Sequence, residues 1–126
     1  FALTTGCGTP VGVDTRAPLV FLPIDEDRTI GYCHRDLFAR WIQIEPGWWN
    51  KATDLERRAL VALERGECDY NLEHDDQMLP DDCPASIMHS WIPNDLCCRT
   101  HQQHYIDDYR ERTLNENFRS WPGAYP

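Results

Sequence analysis

Several patterns typical of catalytic and nucleotide-binding proteins are missing from this chain. It has no Cys-x-x-Cys pair, which removes the usual ligand spacing of zinc ribbons and the redox motif of thioredoxin-like proteins. It also has no Gly-x-Ser-x-Gly, P-loop or Gly-x-Gly-x-x-Gly sequence. Serine occurs only at Ser86, Ser90 and Ser120, so few residues are available as the nucleophile of a serine triad.

Long apolar runs, N-x-[ST] sequons and an excess of positive charge are missing too. The longest apolar run, Leu19–Ile24, follows Pro18, is interrupted by Pro23 and is too short to span a bilayer. Against 12 Lys and Arg residues stand 21 Asp and Glu residues, for a net charge of −9. This balance argues against nucleic acid and anionic membrane surfaces, and it leaves cations, basic or neutral partners and sugars.

The cysteines indicate the compartment. There are six of them: Cys7, Cys33, Cys68, Cys83, Cys97 and Cys98. An even number without metal-site spacing favours three disulfides and an oxidising environment. The first residue is Phe1 and not Met, which fits either a processed secretory protein or a trimmed chain. Together with the cysteines, this leads us to expect a secreted, extracellular protein whose signal peptide has been removed. The pairing stays open, but adjacent cysteines on a helix point roughly 100° apart, so each needs its own distant partner.

The length of 126 residues suits one domain, 1–126. Residues 1–24 indicate loop plus a short edge strand at Leu19–Leu22, since prolines bound this β-prone segment. Residues 36–44 carry apolar groups at a spacing that fits a short helix. The overall prediction is a mainly α, small disulfide-stabilised domain with an irregular N-terminal third that has room for β-structure.

Two longer helices are expected. The first covers 54–65, because Thr53 and Glu56 form a capping box and Gly66 is a typical helix stop. Residues 67–84 then form an acidic loop held by Cys68 and Cys83. The second helix begins near Asn94 and runs to about Arg112. On it, every third or fourth residue shares one face: Cys98, His101, Tyr105 and Tyr109.

Part of this second helix matches a known motif. The sequence Asp95-Leu96-Cys97-Cys98-Arg99-Thr100-His101, with Tyr105 four positions after the histidine, resembles the active-site helix of secreted phospholipases A2. The family pattern is Asp-x-Cys-Cys-x-x-His-Asp-x-x-Tyr. The resemblance implies lipid as substrate, His101 as the general base that takes a proton from water, and Tyr105 in its supporting network.

The same resemblance implies a calcium ion that polarises the ester. The chain departs from the pattern at Gln102, where the family has a calcium-ligand aspartate. A neutral amide oxygen is a poor substitute for a carboxylate at a hard divalent ion. The segment 84–91 also lacks the glycine-rich calcium loop. Phospholipase-like ancestry without normal calcium catalysis is therefore one expectation.

A transition-metal site is a separate hypothesis. His101 and His104 form an i, i+3 pair, and Asp108 lies four residues after His104, so three ligands on adjacent turns predict a Zn²⁺ or Cu²⁺ site. The alternative is that both imidazoles are surface groups paired with Asp107, Asp108 or Glu111. Ca²⁺, Zn²⁺ and Cu²⁺ are thus the cofactors to consider, and no pattern requires any of them.

Trp48 and Trp49 follow a Pro-Gly turn, and adjacent residues there do not easily both point inward. We therefore expect at least one exposed ring, suited to stacking on a sugar or to a protein contact. The alternative is partial burial in the core.

The leading hypothesis is a small secreted acidic binding protein of the effector, toxin or extracellular-ligand kind. It would act through a surface that includes Trp48, Trp49 and the acidic loop, with an extracellular protein or carbohydrate as partner. The alternatives are a phospholipase A2-like lipid hydrolase using His101, and an extracellular metal-binding protein using His101, His104 and Asp108. No nucleic-acid partner and no transmembrane segment are expected.

Overall fold

The computed structural model describes residues 17–115. The strands are β1 (Leu19–Phe21), β2 (Gly31–Arg35) and β3 (Arg40–Ile44). The helices are α1 (Pro46–Lys51), α2 (Asp54–Tyr70), α3 (Asp95–Thr100) and α4 (Gln102–Asn115). Helix accounts for 43% of these residues, so the fold is a small mixed structure of four helices and a three-stranded sheet.

The sheet has the order β1-β3-β2, with β1 parallel and β2 antiparallel to the central strand. The edge strand predicted near Leu19 is confirmed. The helix predicted over 36–44 is wrong, because Asp36 closes a turn and residues 40–44 form β3. Ile42 and Ile44 are fully buried on either side of the half-buried Gln43, which is the alternation of a strand packed on one face.

Helix α2 begins as predicted and ends later. The Thr53 Oγ1 atom accepts from the amide of Glu56 at 3.1 Å, and the Glu56 side chain accepts from the amide of Thr53 at 2.8 Å. The predicted stop at Gly66 is wrong, since the helix continues to Tyr70 and ends with Asn71 in the left-handed region at φ 57°. A Cβ at Gly66 would lie 2.5 Å from the Met88 sulfur, so glycine there permits close packing.

Disulfides fix the elements on both sides of α2. Cys33 on β2 is bonded to Cys68 on α2. Cys83, in the loop of residues 71–94 between α2 and α3, is bonded to Cys97 on α3. Cys98 is oxidised as well, and Cys7 lies outside the described residues. None of the cysteines between residues 17 and 115 is free. The prediction that the adjacent cysteines do not pair with each other is confirmed.

The predicted second helix is split in two. Its start is confirmed, since the Asn94 side chain accepts from the amide of Cys97 at 2.8 Å. His101 then interrupts it, with φ −116° and ψ 26°, between α3 and α4. None of the helices in residues 17–115 is long and apolar enough to cross a bilayer.

The core lies between the sheet and the helices. Helix α2 packs against it, and every residue from Ala59 to Gly66 is buried. Tyr109 reaches into it from α4 and donates its hydroxyl to the carbonyl of Ala62 at 2.8 Å. Helix α2 also carries three charged residues, Glu64, Arg65 and Asp69, in buried positions.

Candidate functional sites

The disulfide between Cys83 and Cys97 brings the loop between α2 and α3 beside His101. The His101 Nε2 atom lies 2.7 Å from the Asp81 Oδ2 atom, and the two side chains are 23% and 48% exposed. The hydrogen bond from His101 holds the pKa of the Asp81 carboxyl below its usual value. A carboxylate on one ring nitrogen orients the imidazole and leaves the other nitrogen for chemistry.

Tyr105 supports this pair from one turn away. Its ring is fully buried and meets the His101 ring edge-on, with centroids 6.1 Å apart. Its hydroxyl donates to the carbonyl of Pro84 at 2.7 Å, which ties α4 to the loop that carries Asp81. Burial and the charge of Asp81 raise the pKa of Tyr105 to about 12, so the phenol stays protonated at neutral pH.

The predicted metal ligands His101, His104 and Asp108 are not brought together. His104 Nε2 lies 2.8 Å from the carbonyl oxygen of Ala85, and the Asp108 carboxylate accepts from Arg112 at 2.8 Å. Within residues 17–115, the one close group of three ligand-type atoms belongs to Asp81, Cys83 and His101. The sulfur of Cys83 is in a disulfide, so this group offers two ligands and no thiolate, which does not fit a Zn²⁺ or Cu²⁺ site.

Trp48 and Trp49 are both half-buried on α1, so the expectation of an exposed ring there is wrong. Trp49 packs edge-on against Phe21 with ring centroids 5.1 Å apart, and the Arg57 guanidinium lies 5.3 Å from its ring centre. Trp48 packs against the core beside it. Both rings thus have packing partners, and their role in binding stays a prediction.

A second candidate site was not expected from the sequence. A cleft of about 850 Å³ lies between β2, α2 and the loop that follows α2. Two half-exposed aromatic side chains, Tyr32 and Trp91, also line it. Its charged or titratable lining residues are Glu26, Arg28, Arg35, Glu64, Glu67, Glu73 and His74.

Glu64 is the unusual member of this cleft. The residue is 4% exposed, and its Oε1 atom is buried without a hydrogen-bond partner among residues 17–115. The carboxyl packs against the backbone of Gly31, where an added Cβ would lie 2.9 Å from Oε2. A buried carboxyl without a counter-charge is costly to ionise, because the low-dielectric surroundings replace water. Burial first, and then the nearby charge of Glu67, raise the pKa of Glu64 to about 8.

A hydrogen-bonded network forms the rim of the cleft. His74 Nε2 lies 2.7 Å from Glu67 Oε1, and His74 Nδ1 lies 3.2 Å from the hydroxyl of Ser90. The Ser90 hydroxyl donates to Asp76 Oδ2 at 2.9 Å, and the Ser90 amide donates to Asp76 Oδ1 at 2.8 Å. These bonds hold the pKa of Asp76 below its usual value. They connect α2 to the loop on the far side of the cleft.

This serine–histidine–glutamate contact is not arranged like a hydrolytic triad. The hydroxyl proton of Ser90 is directed to Asp76 and not to His74, so the histidine does not activate the serine. The amides of Ser90 and Trp91 already donate to Asp76 and His89, and neither is left to stabilise an oxyanion. The network therefore holds the loop segment at Ser90 against α2 at the edge of the cleft.

The sequence contained one signal for the buried carboxyl. Leu60-Val61-Ala62-Leu63 is a run of four apolar residues within a helix, which covers every face of one helical turn. A charged residue that directly follows such a run is a candidate for burial. The nearness of Gly31, more than thirty positions earlier, is a result of the tertiary structure.

Comparisons of the chain with protein-family models, with curated proteins and with solved structures found no match.

Proposed function

We propose that this protein is a secreted, disulfide-stabilised binding protein whose cleft accepts a cationic group of an extracellular partner, such as an arginine or lysine side chain. The observation that carries the proposal is the Glu64 carboxyl, which is buried, lines the cleft and has one oxygen without a hydrogen-bond partner in the part of the chain that the structure describes. A guanidinium or ammonium group would supply the missing donor and the missing counter-charge together.

The composition of the cleft supports a cation. The acidic side chains of Glu26, Glu64, Glu67 and Glu73 line it, against guanidiniums from Arg28 and Arg35. The half-exposed rings of Tyr32 and Trp91 add aromatic faces, which attract cations through the ring quadrupole. The net charge of −9 favours the approach of a basic partner over long range.

Proton release provides a specific test. Because burial raises the pKa of Glu64 to about 8, its carboxyl is mostly protonated at pH 7, and a bound cation must displace that proton. We expect the affinity for a tetra-arginine peptide to rise by up to about tenfold for each pH unit between pH 6 and pH 8. Calorimetry in phosphate and in Tris at pH 7 should show a difference in heat that corresponds to about one released proton.

Matched variants make this test decisive. Glu64→Gln should remove the pH dependence and weaken binding at pH 8 by about tenfold or more. Gly31→Ala keeps every charge but places a Cβ against the carboxyl, so it should weaken binding as well. Glu111→Gln makes the same charge change at an exposed position on α4 and should leave binding unaltered. Unchanged binding and pH dependence in Glu64→Gln would rule out the proposal.

A second candidate function is hydrolysis of phospholipid esters with His101 as general base. The observation that favours it is the 2.7 Å contact between His101 and Asp81, which orients the imidazole. Gln102 replaces the expected calcium ligand, so the reaction would proceed without normal calcium assistance.

We expect any fatty-acid release from phosphatidylcholine vesicles to fall about a hundredfold in His101→Gln, because positioned general bases typically contribute that much. Asp81→Asn should lower the rate too, whereas Gln103→Ala on the exposed side of α4 should not. Release would be measured with millimolar calcium and again with EDTA. If the intact protein releases no fatty acid under either condition, this second candidate is excluded.

A further inference from the structure

One edge of the sheet lies along the cleft. Within residues 17–115 the strand order β1-β3-β2 places β2 at an edge, and Gly31, Tyr32 and Cys33 of this strand line the cleft. The opposite edge is β1, which has three residues between Pro18 and Pro23, so little of it is available for pairing. Strand β2 has five residues and no proline. Of the two edges, β2 is therefore the one that another strand can extend.

The pairing with β3 decides which backbone groups of β2 face the open edge. The Ile30 carbonyl accepts from the amide of Glu45 at 2.9 Å, and the Asp36 amide donates to the carbonyl of Ala39 at 2.9 Å. In an antiparallel ladder, every second residue bonds to the neighbouring strand. The even-numbered residues of β2 therefore bond to β3, and the backbone groups of the odd-numbered residues point away from it.

Gly31 and Cys33 are the odd-numbered residues that matter here. Both are half-buried, and neither backbone makes a hydrogen bond on the open side within the described part of the chain. Backbone amides and carbonyls that are partly removed from water favour a partner that restores their hydrogen bonds. An extended peptide supplies donors and acceptors at the spacing of these two residues, because both chains share the strand repeat.

We propose that the partner enters the cleft as an extended segment that pairs with β2 as a further strand and places an arginine opposite Gly31. This inference deepens the proposed function and rests on it, because the arginine sets the register. Directly opposed residues carry their side chains on the same face, with Cβ atoms about 5 Å apart. A Cβ at Gly31 would lie 2.9 Å from Glu64 Oε2, so an arginine on the opposing strand is within reach of that carboxyl.

Charge distinguishes a basic peptide from a second copy of this chain. Two copies that pair through their β2 edges would each bring a net charge of −9, and they would repel each other. A basic segment is attracted by the same field and also supplies the cation for Glu64. The edge and the buried carboxyl thus select the same partner, an extended segment with a basic side chain.

The test uses a peptide with a single arginine, acetyl-Thr-Val-Arg-Val-Thr-amide, and two versions that each carry one backbone N-methyl group. One version is methylated at the arginine and the other at the valine that follows it. In antiparallel pairing the arginine amide donates to the carbonyl of Gly31, and in parallel pairing the amide of the following valine does. We expect one version to bind about tenfold or more weakly than the parent peptide at pH 8, and the other within about threefold of it.

Hydrogen exchange of the intact protein reports the same contact. At saturating peptide, the amides of Gly31 and Cys33 should exchange about tenfold or more slowly than in the free protein. Tyr32 and His34 are controls within the same strand, because their amides already face β3. Their exchange should change much less.

The outcomes separate this inference from the proposed function. If the parent peptide binds but both methylated versions bind equally well or equally weakly, or if exchange at Gly31 and Cys33 does not slow, strand pairing is overturned. The cation-binding cleft then still stands if Glu64→Gln weakens binding. Failure of the parent peptide alone, with tetra-arginine bound, overturns strand pairing only, and failure of both peptides overturns both proposals. A dimer with slow exchange at these amides before peptide is added would assign the edge to a second copy and overturn the peptide.

Discussion

Replacing Glu64 with Gln should stabilise the protein at pH 9 and change its stability little at pH 4. The reason is the pKa of about 8 that burial gives this carboxyl in the fold, against 4.5 for an ordinary glutamate. Between these values the folded state holds a proton that the unfolded state releases. The free energy of unfolding therefore falls as pH rises from about 4.5 to about 8, and is lowest above that range.

The size of the effect follows from the same values. Each tenfold change in a protonation equilibrium is worth about 1.4 kcal/mol, so ionised Glu64 lowers the free energy of unfolding by roughly 4–5 kcal/mol. Glutamine is neutral at every pH and has the shape of the protonated acid, so the free energy of unfolding of the variant does not fall in this way as pH rises. Urea denaturation at pH 4, 6, 7, 8 and 9, followed by tryptophan fluorescence, measures the difference.

The difference between variant and wild type is the informative quantity, because other groups act in the opposite direction. Hydrogen bonds from Arg112 and Ser90 lower the pKa values of Asp75 and Asp76, so those carboxylates lose stabilisation as pH falls through the acid range. Glu111→Gln, with the same charge change at an exposed site, serves as the control. For Glu111→Gln, we expect the difference in free energy of unfolding from wild type to be independent of pH. If the difference for Glu64→Gln is independent of pH as well, Glu64 is not protonated in the fold at neutral pH.

Removing the disulfide between β2 and α2 should have the second large effect. Cys33 and Cys68 are 35 positions apart, so Cys33→Ala/Cys68→Ala should lower the free energy of unfolding by about 4 kcal/mol. The bond also joins β2, which carries Gly31, to α2, which carries Glu64, and these two elements form walls of the cleft. We therefore expect this variant to lose tetra-arginine binding even at temperatures where it remains folded.

The other described disulfide provides a matched comparison. Cys83 and Cys97 are 14 positions apart, so Cys83→Ala/Cys97→Ala should cost about 3 kcal/mol. This bond holds Asp81 beside His101 and does not line the cleft. Denaturation curves under non-reducing conditions give the stabilities. Retained peptide binding in the Cys33→Ala/Cys68→Ala variant would contradict the role assigned to that bond.

Local sequence patterns predict the structure correctly where one or two side chains determine where an element begins or ends. Thr53 with Glu56, and Asn94, each satisfy backbone amides at a helix start, so the helix origins followed from nearest neighbours alone. Pro18 and Pro23 similarly marked β1 as a short edge strand. The oxidised cysteines fit the oxidising compartment expected from their even number.

The errors arose where contacts distant in the sequence override local preference. Residues 36–44 satisfy a helical spacing, yet Ile42 and Ile44 pair with strands on both sides and are buried there. Gly66 has the appearance of a helix stop but instead makes room for Met88, twenty-two positions later. The partner of His101, Asp81, comes from a loop that a disulfide brings to the helix, so no local pattern around His101 indicated this contact.

The most direct measurement is the titration of the Glu64 carboxyl itself. Carbon NMR of protein labelled at the glutamate carboxyl carbons, with the signal assigned by its loss in Glu64→Gln, gives the midpoint for that group. We expect a midpoint near pH 8 in the free protein and a lower one when the tetra-arginine peptide is bound. A midpoint near 4.5 that the peptide does not move would mean that this carboxyl is already ionised and satisfied, and the cation-binding cleft would be refuted.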